Sequence, residues 1–344
     1  MKKKLLVILL VMAMTLAMAA CGSSTTDSSG SGDSSEGSGQ EADNGELTTL
    51  RIALPTWVGY GVLYVAQEKG FFEEEGLNVE LSIIEGLAER KQALISGNLE
   101  GLATSADVFV NLEGNDVDMD LVWLLDRSNG SDGIVATSDV SSPKDLKGKQ
   151  IATEIGSTEH FFLLKVLEEY GLTADDFELV PMTIAEAGTA FVAGHVDAAA
   201  TYDPYLTTAI ESGGVGFTTA DYDVDLLDAV GFTDKVIQSE PEAVQGFVNA
   251  LAKATAYVEK NKEECIPIEA KGLSLEEADV ASTLDKLECY SLDGNKEMMG
   301  TTDGKLYTDI KDISTFYVEQ GLNGAEIDPN AIINPEFVLN AKTE

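Results

Sequence analysis

Histidine and cysteine are nearly missing from this chain, with two and three copies among 344 residues. Three cysteines exclude a disulfide-stapled scaffold. His160 and His195 lie 35 positions apart with no cysteine at ligand spacing, so neither a zinc site nor any other metal site is expected. Basic residues are also scarce, 22 Lys and Arg against 60 Asp and Glu, for a formal net charge of −38. A chain so acidic repels phosphate backbones, which excludes nucleic acid as a partner. There is no Gly-x-x-x-x-Gly-Lys-[Ser/Thr] phosphate loop and no Gly-x-Ser-x-Gly nucleophile elbow. Gly59-Tyr60-Gly61 begins a dinucleotide fingerprint, but Tyr64 stands where the third glycine belongs. Nothing here calls for a cofactor, and no apolar run reaches the ~20 residues of a membrane-spanning helix.

The first residues instead read as an address and a tether. Lys2, Lys3 and Lys4 precede sixteen residues, Leu5 to Ala20, of which only Thr15 is polar. That is the length and position of a secretory h-region. It ends in Met18-Ala19-Ala20 before Cys21 and so resembles a bacterial lipoprotein signal, although Met18 replaces the usual aliphatic residue. The resemblance implies lipidation of Cys21 and a signal peptide over 1–20. Residues 21–46 follow as a tether: Gly22 to Gly45 holds eight Ser, six Gly and five acids. A segment of that composition buries too little apolar surface to offset its ordering entropy, and disorder is expected. With few bases to hold an anionic surface, membrane attachment would come from lipid on Cys21.

Beyond residue 47 the apolar fraction is that of a globular protein, and 344 residues suggest two domains. Strand-like runs alternate with helical ones. Strands are expected at 49–54, 79–84, 101–103, 121–125, 133–136, 150–153, 178–180 and 198–201. Helices are expected at 64–69, 88–95, 106–112, 159–170 and 184–192. Gly70 and Gly171 stand where C-cap glycines belong. Such alternation implies βαβ units and largely parallel sheets, an α/β fold. From Glu240 onward the chain reads as nearly all helical. Ser239 to Glu242 and Ser274 to Glu277 both match the Ser-x-x-Glu capping box, and Pro241 suits a first helical turn. Cys265 and Cys289 fall in this segment, either as a bridge or as two buried thiols. His195 reads as a loop residue.

Several polar and aromatic residues cluster just past strand ends. Trp57, Tyr60 and Tyr64 follow the first strand, and Ser105 follows the third. Asp126, Ser128 and Asp132 follow the strand at Leu121. Ser157, Thr158 and His160 open a helix after the strand at Gln150, and Tyr202, Asp203 and Tyr205 follow the strand at Ala198. Ligands of open α/β sheets bind outside the carboxyl ends of strands, so these clusters are expected to converge on one crevice.

Residues Trp57 to Ala66, Glu68 to Phe72 and Glu75 to Val79, with Asp132 to Ala136, Asp145 to Lys149 and Gly156 to Leu164, resemble the nitrate/sulfonate/taurine-type solute-binding proteins of ABC importers (SsuA/THI5-like). Ala190 to Gly194 and Thr201-Tyr202-Asp203-Pro204-Tyr205 continue the likeness, which covers about 48–340. It implies a periplasmic-binding-protein type II fold: two α/β lobes, joined by two crossovers, closing on a ligand. On this basis lobe 1 is expected at 47–137, lobe 2 at 138–228, and the return crossover with the helical remainder of lobe 1 at 229–344. The implied function is capture of a small polar solute and its delivery to a membrane permease with an ATPase subunit. That role needs no enzymatic step, and it suits a monomer lipid-anchored outside the cytoplasm.

Ligand-binding roles are expected for Trp57, Tyr60, Ser105, Asp126, Asp132, Ser157, His160, Tyr202, Asp203 and Tyr205. Carboxylates among aromatic walls favour a small cation or amide such as guanidinium, an amine or a urea-like solute. A sulfonate, taurine or nitrate anion at the helix N-terminus near Ser157 is the alternative, as is a pyrimidine-type thiamine precursor stacked between the aromatics. A non-transport sensing or adhesive lipoprotein remains a second class. A thiamine-precursor synthase shares the fold, but its Cys-rich iron segment is absent here.

Overall fold

The computed structural model describes residues 47–302 and 304–343. The expected signal peptide, Cys21 and the whole tether lie outside the described residues. Two sheets organise the chain. The first takes β1 (Thr48–Leu54), β2 (Leu77–Ile83), β3 (Gly101–Ser105) and β4 (Met119–Ser128). The second takes β5 (Asp132–Ala136), β6 (Gln150–Thr153), β7 (Glu178–Pro181), β8 (Ala198–Tyr202) and β9 (Val215–Thr218). The chain then returns to the first sheet with β10 (Leu227–Thr233) and β11 (Leu287–Cys289). Their spatial orders are β2-β1-β3-β10-β4-β11 and β7-β6-β8-β5-β9.

Each sheet has the same plan. β1 pairs in parallel with β2 and β3, and β6 with β7 and β8. One antiparallel strand that arrived from the other half is then inserted: β10 against β3 and β4, β5 against β8 and β9. The central strands β3, β5 and β8 are buried along their whole length. Strands covered on both faces read as continuous apolar runs, which is why they were visible in the sequence.

Two crossovers join the halves, at 129–131 and 219–226. They are stitched together by Thr219, whose Oγ1 lies 3.0 Å from Ser128 Oγ and accepts from the Gly130 N–H at 2.7 Å. Residues Asp132–Ala136 therefore sit in the second sheet, on the far side of the boundary expected at 137/138. Leu227–Thr233, read in part as a crossover, is a core strand of the first sheet.

The helices follow the expected periodicity closely, and Ile184–Val192 matches it residue for residue. Thr183 and Glu186 close a reciprocal capping box there, satisfying backbone donors at the helix start. Gly70 and Gly171 adopt φ of 76° and 70°, the left-handed backbone that favours glycine beyond a helix end. The two capping boxes expected later in the chain do not form. Ser239 is the last residue of helix Asp234–Ser239, and helix Pro241–Lys260 starts from Glu240 without a side-chain cap. Ser274 ends helix Lys262–Leu273 at φ 58°, while Glu277–Leu284 begins uncapped from Glu276. Pro241 does open its helix.

The long helix Pro241–Lys260 covers the first sheet through Phe247, which stacks on Phe72 at 5.1 Å and meets Phe232 edge-on at 5.1 Å. Helix Lys305–Glu319 reaches the second half, where Phe316 and Tyr317 take Phe161 edge-on at 5.5 and 5.7 Å. Cys265 is buried and Cys289 exposed, both as free thiols, and His195 lies exposed between helix Ile184–Val192 and β8. Among the described residues no helix is long and apolar enough to cross a membrane.

Candidate functional site

The carboxyl ends of the parallel strands in both sheets face one crevice. From the first half come Pro55, Trp57 and Tyr60 after β1, Thr104 on β3 and Asp228 at the start of β10. From the second come Asp132 at the start of β5, Ser157, Thr158 and Glu159 after β6, and Tyr202 closing β8. Antiparallel insertion explains the acids: β10 and β5 begin where their neighbours end, so Asp228 pairs with Ser105 and Asp126, and Asp132 with Tyr202.

The two halves touch across this crevice. Trp57 packs edge-to-face on Tyr202 with centroids 5.5 Å apart, and Tyr202 donates its hydroxyl to Glu85 at 3.3 Å. The Leu87 N–H donates to Glu154 at 2.6 Å, and Ser105 Oγ meets Thr158 Oγ1. The space left between them is about 30 Å³. That holds two or three waters on a scale where one occupies ~10–15 Å³, so in this closed arrangement only a small solute fits.

Five of the ten expected residues line the crevice: Trp57, Tyr60, Asp132, Ser157 and Tyr202. Ser105 and Asp126 stand directly behind them. Ser105 donates to Asp107 at 2.6 Å, and Asp126 accepts from Trp57 Nε1 at 3.3 Å.

The other three are drawn into local structure. His160 accepts the Gly156 N–H on Nδ1 at 3.2 Å, and burial lowers it to about 4, so the imidazole is neutral and turned into its own loop. Tyr205 packs on Tyr202 at 5.9 Å from the start of its helix. Asp203 has no oxygen to spare for a cation. Oδ1 accepts from Thr207 N at 2.9 Å and Thr207 Oγ1 at 2.7 Å, and Oδ2 accepts from Lys286 Nζ at 2.5 Å. Asp203→Ala is therefore expected to lower stability by about 2 kcal/mol, as for lost hydrogen bonds to a charged group, without altering solute preference. A urea titration and a competition assay measure the two effects.

Arg90, Glu159 and Asp228 were missed. Arg90 stands between the charged Glu89 and Lys91, yet Leu87, Arg90 and Leu94 are the buried residues of helix Leu87–Ile95. That i, i+3, i+7 spacing on a buried face was the available signal. Arg90 is 2% exposed, lines the crevice, and has no hydrogen-bond partner for Nε or Nη1. Arg127, the base beside Asp126, points away and pairs with Asp225 at 2.6 Å.

Facing Arg90 is a nest of buried acids. Burial pushes Asp126 up to about 8 and Asp132 up to about 7, and the charge of Asp132 adds to the effect on Asp126. Glu159 and Asp228 are driven well above the carboxylate range, chiefly by burial and then by neighbouring acids. Glu159 and Asp132 are in hydrogen-bonding contact, which requires a proton on one of them. Asp126 and Asp132 each keep an Oδ2 that is buried and unpartnered. The crevice thus offers two complementary ends, a guanidinium with unused donors and carboxyl groups with unused acceptors.

Against known proteins, the NMT1/THI5-like family profile matches residues 58–265, more than half of the chain. The chain belongs to the NMT1/THI5-like family. A relative in Escherichia coli (strain K12), named for binding aliphatic sulfonates, is 31% identical over 153 residues, 44% of this chain and 48% of that protein. The taurine-binding periplasmic protein of the same organism is 25% identical over 195 residues, 55% of this chain and 61% of that protein. The matched stretches therefore span about half to three fifths of these relatives.

Among solved structures, the alkanesulfonate-binding protein SsuA of Xanthomonas axonopodis pv. citri, bound to MOPS, superposes with a TM-score of 0.66 at 20% identity. The match covers 84% of this chain and 99% of that one. The desulfurization enzyme DSZB superposes at 0.63 with 16% identity, over 85% and 98%. This family member has the periplasmic-binding-protein type II fold expected from its sequence, a fold that serves both receptors and an enzyme.

Proposed function

We propose that the protein is the solute receptor of an ABC importer, working outside the cytoplasm, and that its lobes close on a short zwitterion. The observation that carries this reading is Arg90, buried with Nε and Nη1 unused in a crevice whose other charged groups are acids. Arg90 lies within Coulombic range of Glu154 but leaves those two donors unused, and an anionic group on the solute would satisfy its planar fork. The names of the sulfonate- and taurine-binding relatives support that anionic end.

The cation or amide favoured from sequence finds no support among these relatives, whose names point to an anion; the acids Asp132, Glu159 and Asp228 would instead face an amine at the solute's opposite end. Aminosulfonates and amino acids about as long as taurine combine both ends, and the lobes would part to admit them, since about 30 Å³ holds only two or three waters. A pyrimidine needs the lobes apart as well and has no anionic end for Arg90. Ser105 is bonded to Asp107 and Thr158, and His160 faces its own loop. Lipid on Cys21 and the tether behind it would hold the receptor near its permease and ATPase.

A crystal structure with a bound aminosulfonate tests the orientation. Sulfonate oxygens are expected within hydrogen-bond distance of Arg90 Nε and Nη1, and the amine beside Asp132. The reverse orientation, or a solute outside the crevice, would overturn the reading.

A further inference from the structure

Behind the turn Val58–Tyr60, on the side away from the crevice, lies a cavity of about 200 Å³. It is enclosed by helices Gly61–Glu68, Pro241–Lys260, Lys262–Leu273 and Glu277–Leu284 together with β4 and β11. Its walls are apolar, chiefly Val58, Val62, Leu125, Val258 and Leu284, and it opens to solvent beside the exposed Cys289 and Glu259. Thr255, Glu259, Lys262 and Glu269 interrupt this lining, and the last has an unused atom. Glu269 is 2% exposed, and its Oε2 is buried without a hydrogen-bond partner. The nearest basic residue on the wall, Lys262, is already engaged by Asp285 at 2.7 Å.

We propose that this cavity is a second small-molecule site, taking a compact amine whose ammonium pairs with Glu269 and whose apolar body fills the space behind it. The volume admits such a body, since an apolar cavity of about 150 Å³ holds benzene. The class of head group follows from the carboxyl. A buried acceptor with no donor is costly, and an ammonium supplies three donors and the opposite charge. Glu259 at the mouth adds negative charge along the way in. Burial pushes Glu269 up to about 7 against the opposing charge of Lys262, so an arriving cation adds to the stabilisation of the ionised form. The site is independent of the proposed solute in the crevice, because none of the crevice's acids lines it.

Titration calorimetry on the full chain with benzylamine is the test, with benzyl alcohol and benzoate as isosteric controls. Saturable benzylamine binding is expected, at least tenfold tighter than either control. Glu269→Gln keeps the shape and is expected to weaken benzylamine at least tenfold. Leu284→Trp, which fills the space, is expected to abolish binding. Asp132→Asn alters the acids of the crevice and should leave benzylamine affinity within twofold. Absence of binding at 10 mM, equal affinity for benzoate, or loss on Asp132→Asn with retention in Glu269→Gln would each overturn the proposal.

Discussion

Replacing Arg90 with methionine is expected to weaken binding of an anionic or zwitterionic solute by more than 100-fold. The Nε and Nη1 donors would each form a charge-assisted hydrogen bond with the solute. Bonds of that kind contribute about 1.5–3 kcal/mol apiece, and 100-fold corresponds to about 2.7 kcal/mol. Methionine has a similar reach and no charge to leave unpaired, so the unliganded melting temperature should not fall. Arg90→Lys separates charge from geometry. It keeps one positive charge but loses the planar fork, and about a tenfold loss is expected. Equilibrium binding and thermal denaturation on the same preparations provide both readouts. Undiminished affinity in Arg90→Met would remove the anionic end from the account.

The second large effect concerns the opposite end. Asp132→Asn is expected to weaken taurine about 30-fold while leaving ethanesulfonate within threefold, because only taurine presents an amine to that carboxyl. The same contact predicts a pH dependence. Burial holds Asp132 up to about 7 and Asp126 up to about 8, so below neutrality both carry protons in the empty crevice. Pairing with an ammonium requires the charged carboxylate, and a proton must then leave. Taurine affinity should therefore rise with pH between 5 and 7, approaching tenfold per unit for one released proton, and level off above pH 8. Ethanesulfonate should lack this rise, and Asp132→Asn should reduce it for taurine. Binding isotherms across that range decide the matter, and a flat taurine profile would contradict an amine at Asp132.

How far this was legible in the sequence depends on whether the decisive contact is local. The ends of β1, β6 and β8 were marked by apolar runs giving way to aromatics and hydroxyls. Trp57, Tyr60, Ser157 and Tyr202 could accordingly be placed at one crevice. β10 was harder to see, because Leu227–Thr233 contains Asp228 and Gly231 and lies where a crossover was needed. β11 has three residues, too few for any periodicity to show. Both false capping boxes had the right spacing, but Ser239 and Ser274 belonged to the ends of the preceding helices. The fate of Asp203 rests on Lys286, 83 positions away, a distance over which no local pattern speaks. Arg90 was not singled out, although its place between Leu87 and Leu94 put it on the buried face. Without it, the acids and aromatic walls tilted the sequence reading toward a cation.

The central claim is that one crevice reads both ends of its solute. Calorimetric dissociation constants for taurine, ethanesulfonate and ethylammonium, measured at pH 8, test it most directly. The account predicts that taurine binds at least 100-fold more tightly than either half-molecule. Ethanesulfonate matching taurine, or ethylammonium binding alone, would contradict it.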